Sequence, residues 1–340
     1  MAFFKKVACF TDIHFGMKGN SRVHNDDCEA FVYWFIEQAK AHGCETCIFL
    51  GDWHHHRSST NVSTMNYTVS NMERLGQAFE KVYVIMGNHD LFYREKREIN
   101  SMEFIRNIPN IHIVNQWIVE DDVAIIPWIV GDEYKVIEKM QQKYVFGHFE
   151  LPYFKMNAMV EMPDVGTIKT EHFKNCGEVF TGHFHKRQQN HNVTYMGNAF
   201  PHNYADAWDD ERGMMIIDYG QKPKYINWPD MPRYRTIKIS QLLEDPEAVL
   251  KPKMYVRTTL DIKISYEEAN FVRETFIEKY QLRELQLIPE QVDNAQQPTV
   301  EVQKFDSVDQ IVIKQLQGVD SETYDKHILT AIYNDLDVTS

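Results

Sequence analysis

The chain has 340 residues, 43% of them hydrophobic and 25% charged, which excludes disorder, collagen and a coiled-coil rod and leaves length for two domains with real cores. No apolar stretch approaches the roughly 20 residues of a membrane span. Lys5 and Lys6 interrupt the N-terminal apolar run where a secretory signal would need one, so a cytoplasmic protein is expected. The net charge is −13, but residues 241–340 carry most of it, with 10 Lys/Arg against 19 Asp/Glu; two divalent cations would cancel the excess on the rest, so acidity does not exclude a polyanionic substrate.

From residue 1 to about 228, short apolar, β-branched runs alternate with amphipathic windows, the pattern of an α/β domain. Residues 7–11 predict a strand. Asp26 or Asp27 is placed to cap a helix running to about Ala41, with Gly43 where a helix stops. A strand at 46–50, a helix within 64–80 and a strand at 82–85 come next, then a helix at 102–108 capped by Ser101 and ended near Pro109. Strands follow at 111–114, 123–126, 144–146, 179–180, 193–196 and 214–217, several with no helix between them. A two-sheet α/β sandwich flanked by helices therefore fits residues 1–230 better than one open parallel sheet. Two prolines and polar residues at 227–233 mark its end. Within 237–290 a strand at 255–264, a helix at 266–279 and a strand at 283–288 make a small β-α-β unit. A polar segment at 291–298 leads to helical windows near 308–316 and 321–336, a C-terminal helical segment spanning 305–340. The five cysteines form an odd set in a long chain, which argues for reduced thiols; Cys44 and Cys47 have the spacing of a zinc or redox pair.

Eight of the 15 histidines fall in five short polar segments: Asp12-Ile-His14, Gly51-Asp52-Trp-His54-His55-His56, Gly87-Asn88-His89-Asp90, Gly147-His148 and Gly182-His183-Phe-His185. Each follows an apolar run of strand character, so the polar residues should gather along one rim of the sheets. Imidazole nitrogens combined with carboxylate and amide oxygens suit Mn, Fe or Zn. His183 and His185, two apart, share a face of extended chain, and the glycines before Asp52, Asn88, His148 and His183 permit sharp turns and close approach. A Gly-His pair alone is more often a turn with a surface histidine. Five such segments in order, each after a strand, point instead to a metal centre. The three consecutive histidines at 54–56 cannot all face it.

This series resembles the signature of the calcineurin-like metallophosphoesterases over about residues 1–220. Within that superfamily the Thr-Asp-Ile-His opening, the Gly-Asp-x-x-His-x-x-Arg-Ser segment and the closing Gly-His-Phe-His are most similar to SbcD-type nuclease subunits of double-strand-break repair. The chain length and the Gly-His-Phe-Glu-Leu segment at 147–151 resemble the phage members, recombination nucleases paired with an SMC-like ATPase. The resemblance implies two divalent metal ions, Mn in the lead reading. Asp12, His14, Asp52 and His185 would hold one, and Asp52, Asn88, His148 and His183 the other, with Asp52 bridging. It also implies that His89 serves the leaving oxygen, that Asp90 orients His89, and that His55 matches a histidine following the Gly-Asp motif.

Two basic clusters, Arg94, Lys96, Arg97 and Lys186, Arg187, follow ligand motifs and are candidate grips for a DNA backbone. By the same resemblance, the region of the helices at 64–80 and 101–108 makes a homodimer contact, residues 237–290 are a capping domain that presents DNA, and the last helical window docks on the ATPase coiled coil. The expected function is a DNA nuclease, 3′-to-5′ exonuclease on duplex ends and endonuclease on single strands. A phosphodiesterase for small nucleotides and a catalytically silent scaffold are the competing readings.

Overall fold

A computed structural model describes residues 2–156 and 160–289, and every structural statement below concerns those residues. The expected 305–340 helical segment and its ATPase dock lie outside them. The described residues fold as one compact unit built on a pair of six-stranded sheets.

The first sheet is centred on four parallel strands, Lys6–Phe10 (β1), Thr46–Phe49 (β2), Lys81–Ile85 (β3) and, after the hairpin Leu91–Tyr93 (β4) and Lys96–Asn100 (β5), Ile111–Val114 (β6). The second holds Ile118–Glu120 (β7), Val123–Ile126 (β8), Tyr144–His148 (β9), Glu178–Gly182 (β10), Gln188–Asn190 (β11) and Val193–Tyr195 (β12), with β8, β9, β10 and β12 parallel. Gly213–Asp218 (β13) and Lys224–Asn227 (β14) return to the first sheet, β13 antiparallel beside β1.

Strand periodicity divides each run between two cores. In β1, Val7 and Cys9 pack between the sheets with Ile48, Ile85, Phe146 and Phe180, while Ala8 and Phe10 face the helices with Phe31, Phe35 and Phe49. Val145, Phe149, Phe173 and Val179 form a third core on the outer face of the second sheet. Strands covered on both faces read as unbroken apolar runs, which is why the sequence locates them. The expected strands and sandwich are present.

The helix Arg22–Ala41 buries His24, Cys28, Phe31, Phe35 and Ala39 at helical spacing and stops at Gly43, whose φ of +71° suits a residue without a β-carbon. It starts one turn earlier than Asp26 or Asp27 would place it, after Ser21. Asp27 is no cap: it faces inward and pairs with Arg283. Asn61 caps the helix Val62–Ala78, its side chain accepting from the Ser63 amide. Between 102 and 108 the expected helix is a single 3-10 turn, Glu103–Ile105, and Ser101 does not cap it, its hydroxyl bonding His54 Nδ1 instead.

Beyond β14 lies a small, all-parallel sheet of Tyr234–Lys238 (β15), Tyr255–Leu260 (β16) and Glu284–Pro289 (β17). The helix Tyr266–Tyr280 crosses from β16 to β17, opened by a reciprocal cap between Ser265 and Glu268. The β-α-β unit is as expected, and β15 is an additional strand. Arg283 to Asp27, Tyr204 to Glu284 and Lys18 to Tyr234 tie this sheet to the larger part. No described helix is long and apolar enough to cross a membrane.

Candidate metal centre

Strands β1, β2 and β3 run parallel in one sheet, and β9 and β10 in the other, so their C-terminal ends deliver five polar loops to one edge. Backbone bonds lock these loops together: Asp12 N donates to Gly51 O at 3.0 Å, His14 N to Asp52 O at 3.2 Å and Phe15 N to Trp53 O at 2.7 Å. Asp12, His14, Asp52 and His183 all have left-handed backbone, with φ of +50°, +53°, +63° and +93°. Such strain at side-chain-bearing residues persists only where surrounding structure enforces it.

Two sets of donor atoms result. Those of Asp12, His14 and His185 all lie within 4.8 Å of one another, as do those of Asp52, His148 and His183. The carboxylate of Asp52 stands between them, since the same Oδ2 is 3.8 Å from His14 Nε2 and 3.3 Å from His148 Nε2. Asn88 joins the second set, its Oδ1 lying 3.2 Å from His148 Nε2.

The residues fit divalent cations. His14 is fully enclosed, yet neither of its ring nitrogens has a hydrogen-bond partner. Two ligand atoms each ~2.1 Å from one ion stand about 3–4 Å apart, the range of the nitrogen-to-carboxylate separations here. His148 donates Nδ1–H to Leu50 O at 2.7 Å, which fixes the tautomer and aims Nε2 inward, the arrangement of a ligand imidazole. Burial holds His14 well below the usual histidine range, keeping it neutral. Burial works against ionisation of Asp52, but His148, His89 and His14 outweigh it and keep the carboxyl well below its normal range. Burial likewise opposes a charge on His148, and the attraction of Asp52 overcomes this and raises it to about 9. Asp52 thus draws a positive charge, which a divalent cation would supply in place of the His148 proton.

His89 stands at the rim. Its backbone amide donates to Asp52 Oδ1 at 2.8 Å and its Nδ1 meets the His55 carbonyl at 2.7 Å. Asp90 does not orient His89: its carboxylate accepts from the backbone amides of Asp52, Trp53, His54 and Gly87 at 2.8–3.1 Å, so it shapes the loop that presents Asp52. Burial and the neighbouring Asp52 charge push Asp90 up to about 7 against those donors. Of the histidine run, His55 faces the site, stacked at 15° on His89 and edge-on to His14. His54 turns into the core between Ser101 and Thr68, and His56 is exposed.

The basic clusters are placed unevenly. Arg94 pairs with Glu150 through bonds of 2.7 and 2.8 Å. Arg97 is committed to Glu133, Asn115 O and Trp128 O, and Arg187 to Met196 O and Asn227. Lys96 is exposed and Lys186 half-buried.

Three participants were not among the expected ligands. His202 is fully buried, bonds Asp12 O through Nε2 at 2.8 Å, and sets its ring 5.5 Å from both His14 and His185. Glu150 lies 3.3 Å from His183 Nε2 and can orient that imidazole. Trp128 places its ring 5.2 Å from His183. His202 lacks the glycine that precedes four of the five segments, Glu150 is legible only as part of the Gly-His-Phe-Glu-Leu stretch, and no local spacing marks Trp128.

A sequence profile described as calcineurin-like phosphoesterase matches residues 5–212. The chain is 26% identical over 222 residues to exonuclease subunit 1 of Enterobacteria phage T4, an alignment covering 63% of this chain and 64% of that protein. The chain thus spans slightly less than two thirds of that relative's length. Among solved structures it is similar to nuclease MPE of Pseudomonas putida, with 19% identity, TM-score 0.29, and 55% of this chain and 66% of that one covered. It is also similar to the E. coli phosphoesterase Yfce, with 12% identity, TM-score 0.35, and coverage of 66% and 94%.

Proposed function

This chain belongs to the calcineurin-like phosphoesterase family, and from that premise we propose that it is a two-metal, Mn-dependent DNA nuclease. In this reading it is a 3′-to-5′ exonuclease on duplex ends and an endonuclease on single strands, working with an SMC-like coiled-coil ATPase in recombination, repair and replication. The observation that carries the two-metal part is Asp52 Oδ2, placed between two sets of donor atoms as a shared ligand. The phage relative, named as a subunit of an exonuclease, supports the DNA substrate and the partner, and a place in the cytoplasm of a phage host. A homodimer through the helix Val62–Ala78 and the exposed Phe104 belongs to the same proposal.

Asp12, His14, Asp52 and His185 would hold one cation and Asp52, Asn88, His148 and His183 the other. When bound, the pair would polarise the phosphodiester and lower the pKa of an attacking water. The chain's own residues do the rest. Asp90 fixes the Asp52 loop through four backbone amides. The His55 carbonyl accepts from His89 Nδ1, which leaves Nε2 to hand a proton to the departing sugar oxygen. Arg94, Lys96 and Lys186 are the proposed phosphate grips, while Arg97 and Arg187 shape the loops behind them.

The test is cleavage of end-labelled duplex and single-stranded DNA with Mn²⁺, Mg²⁺ or EDTA, beside Asp52→Ala. Mn-dependent cleavage absent from the variant supports the nuclease, and the product ladder gives its polarity. Hydrolysis of a cyclic nucleotide with no cut in DNA would replace it with the small-nucleotide phosphodiesterase, which the cavity of about 380 Å³ beside His148 favours. Silence on both substrates would leave the scaffold.

A further inference from the structure

Beside the metal centre, the strand ends of β8 and β9 and the loop at 160–169 enclose a cavity of about 380 Å³ that reaches His148. We propose that this cavity is a nucleobase subsite, which takes the base next to the scissile phosphate after it leaves its stack. The inference rests on reading the centre as a nucleotide phosphodiesterase.

The argument begins with the lining. Trp128, Tyr134, Phe149 and Ile168 form the walls, while Arg94 and Glu150 stand at the mouth. Trp128 and Phe149 are buried, 6% and 1% exposed, and form fixed walls, while Tyr134 shows part of its ring to the hollow; a hollow of this kind beside a charged centre marks a binding site. The volume lies at the small end of ligand pockets, ~300–1,000 Å³, room enough for one base. Trp128 is anchored with its Nε1 donating to Arg94 O at 3.1 Å, and its ring stands 5.2 Å from His183 and 6.0 Å from His148. The wall of the cavity is therefore continuous with the metal centre, and a nucleotide whose phosphate sits at the donors has its base one sugar away, at this opening.

The mouth has the matching polarity. Arg94 lies over the Trp128 ring at 5.2 Å and is held by Glu150, which also reaches His183. Arg94 offers N–H groups to a phosphate or base carbonyl, and Glu150 accepts from an exocyclic amine. Recognition combines the shape of the hollow and stacking on Tyr134 with these polar groups at the mouth.

The test compares two probes on the full chain with Mn²⁺: dAMP, and deoxyribose 5-phosphate, which lacks the base. Each is measured as an inhibitor of bis(p-nitrophenyl) phosphate hydrolysis and, independently of turnover, by calorimetry. Stacking of one base predicts that dAMP binds about 5- to 150-fold more tightly than the sugar phosphate. Thr167→Trp, which fills the cavity from its exposed outer loop, should abolish that advantage while leaving Mn²⁺ binding unchanged. If Thr167→Trp does not fold, the calorimetric comparison is made on Tyr134→Ala, where the advantage should shrink. Equal binding of the two probes to the unaltered chain overturns the subsite, as does an advantage that survives in folded Thr167→Trp. Failure of the nuclease reading looks different: DNA stays uncut while dAMP keeps its advantage.

Discussion

Gly87 lies so close to Asp52 that a β-carbon on it would stand 2.2 Å from the carboxylate Oδ1 and 2.5 Å from the Asp52 amide nitrogen. The same holds across the centre, where a β-carbon on Gly51 would meet His148 Nδ1 at 2.4 Å and one on Gly182 would meet the Thr11 hydroxyl at 2.1 Å. Glycine is required here for the approach of neighbouring loops. Gly87→Ala should therefore displace Asp52 and lower both Mn²⁺ affinity and phosphodiester turnover by about 100-fold or more, at a stability cost of roughly 1–3 kcal/mol. Gly43→Ala is the control, with nothing within 4 Å and a φ of +71°; it should cost about 1 kcal/mol of strain and leave the centre intact. Metal titration and urea unfolding of the two variants decide the point, and an unperturbed Gly87→Ala centre would contradict it.

Those glycines explain how much was readable in advance. Apolar runs covered on both faces gave β1, β2, β3, β9 and β10, and polar residues at each strand end, after a glycine in four of the five, gave the loops. The hairpin Leu91–Tyr93 and Lys96–Asn100 was not readable, because Arg94, Glu95, Lys96, Arg97 and Glu98 give it no apolar face. Asp27 resembles a cap locally, but its partner Arg283 lies 256 residues away. His202, Glu150 and Trp128 acquire their positions only when distant loops meet, and Asp90 was visible while its service to backbone amides was not.

The position of Asp52 Oδ2 between the two donor sets predicts unequal metal losses. Asp52→Asn should empty both sites, since it weakens the ligand they share. His185→Ala should lose one equivalent of Mn²⁺ and keep the other. Metal content after gel filtration measures both. Single-site loss in Asp52→Asn would show that the carboxylate serves one cation only.

His89→Ala tests whether this imidazole acts on the proton or on the metal. A positioned acid contributes about 100- to 10,000-fold, so kcat should fall by that range with metal content unchanged. The nitrogens of His14, His55 and His89 also lie within 4.8 Å of one another, so the contrary result is a definite one. A parallel drop in Mn²⁺ affinity would make His89 a ligand.

His183 has φ +93°, a conformation that an L side chain rarely adopts. Both His183→Gly and His183→Ala remove the imidazole, but only glycine relieves the backbone. In metal-free protein the glycine variant should be about 1 kcal/mol more stable than the alanine variant. Equal denaturant midpoints would mean that the turn is unstrained.

The pair between Arg283 and Asp27 joins the small sheet to the first long helix, with side chains only 19% and 6% exposed. Arg283 also extends over the Tyr255 ring, beside Tyr234 and Lys18, and Lys18 belongs to the turn that follows His14. Breaking one partner leaves a charge in a largely dry place, so Arg283→Ala and Asp27→Ala should each destabilise by about 2–4 kcal/mol. Because each loses the same contact, the double variant should cost clearly less than the two singles added together. A strictly additive double-mutant cycle would assign the pair no coupling.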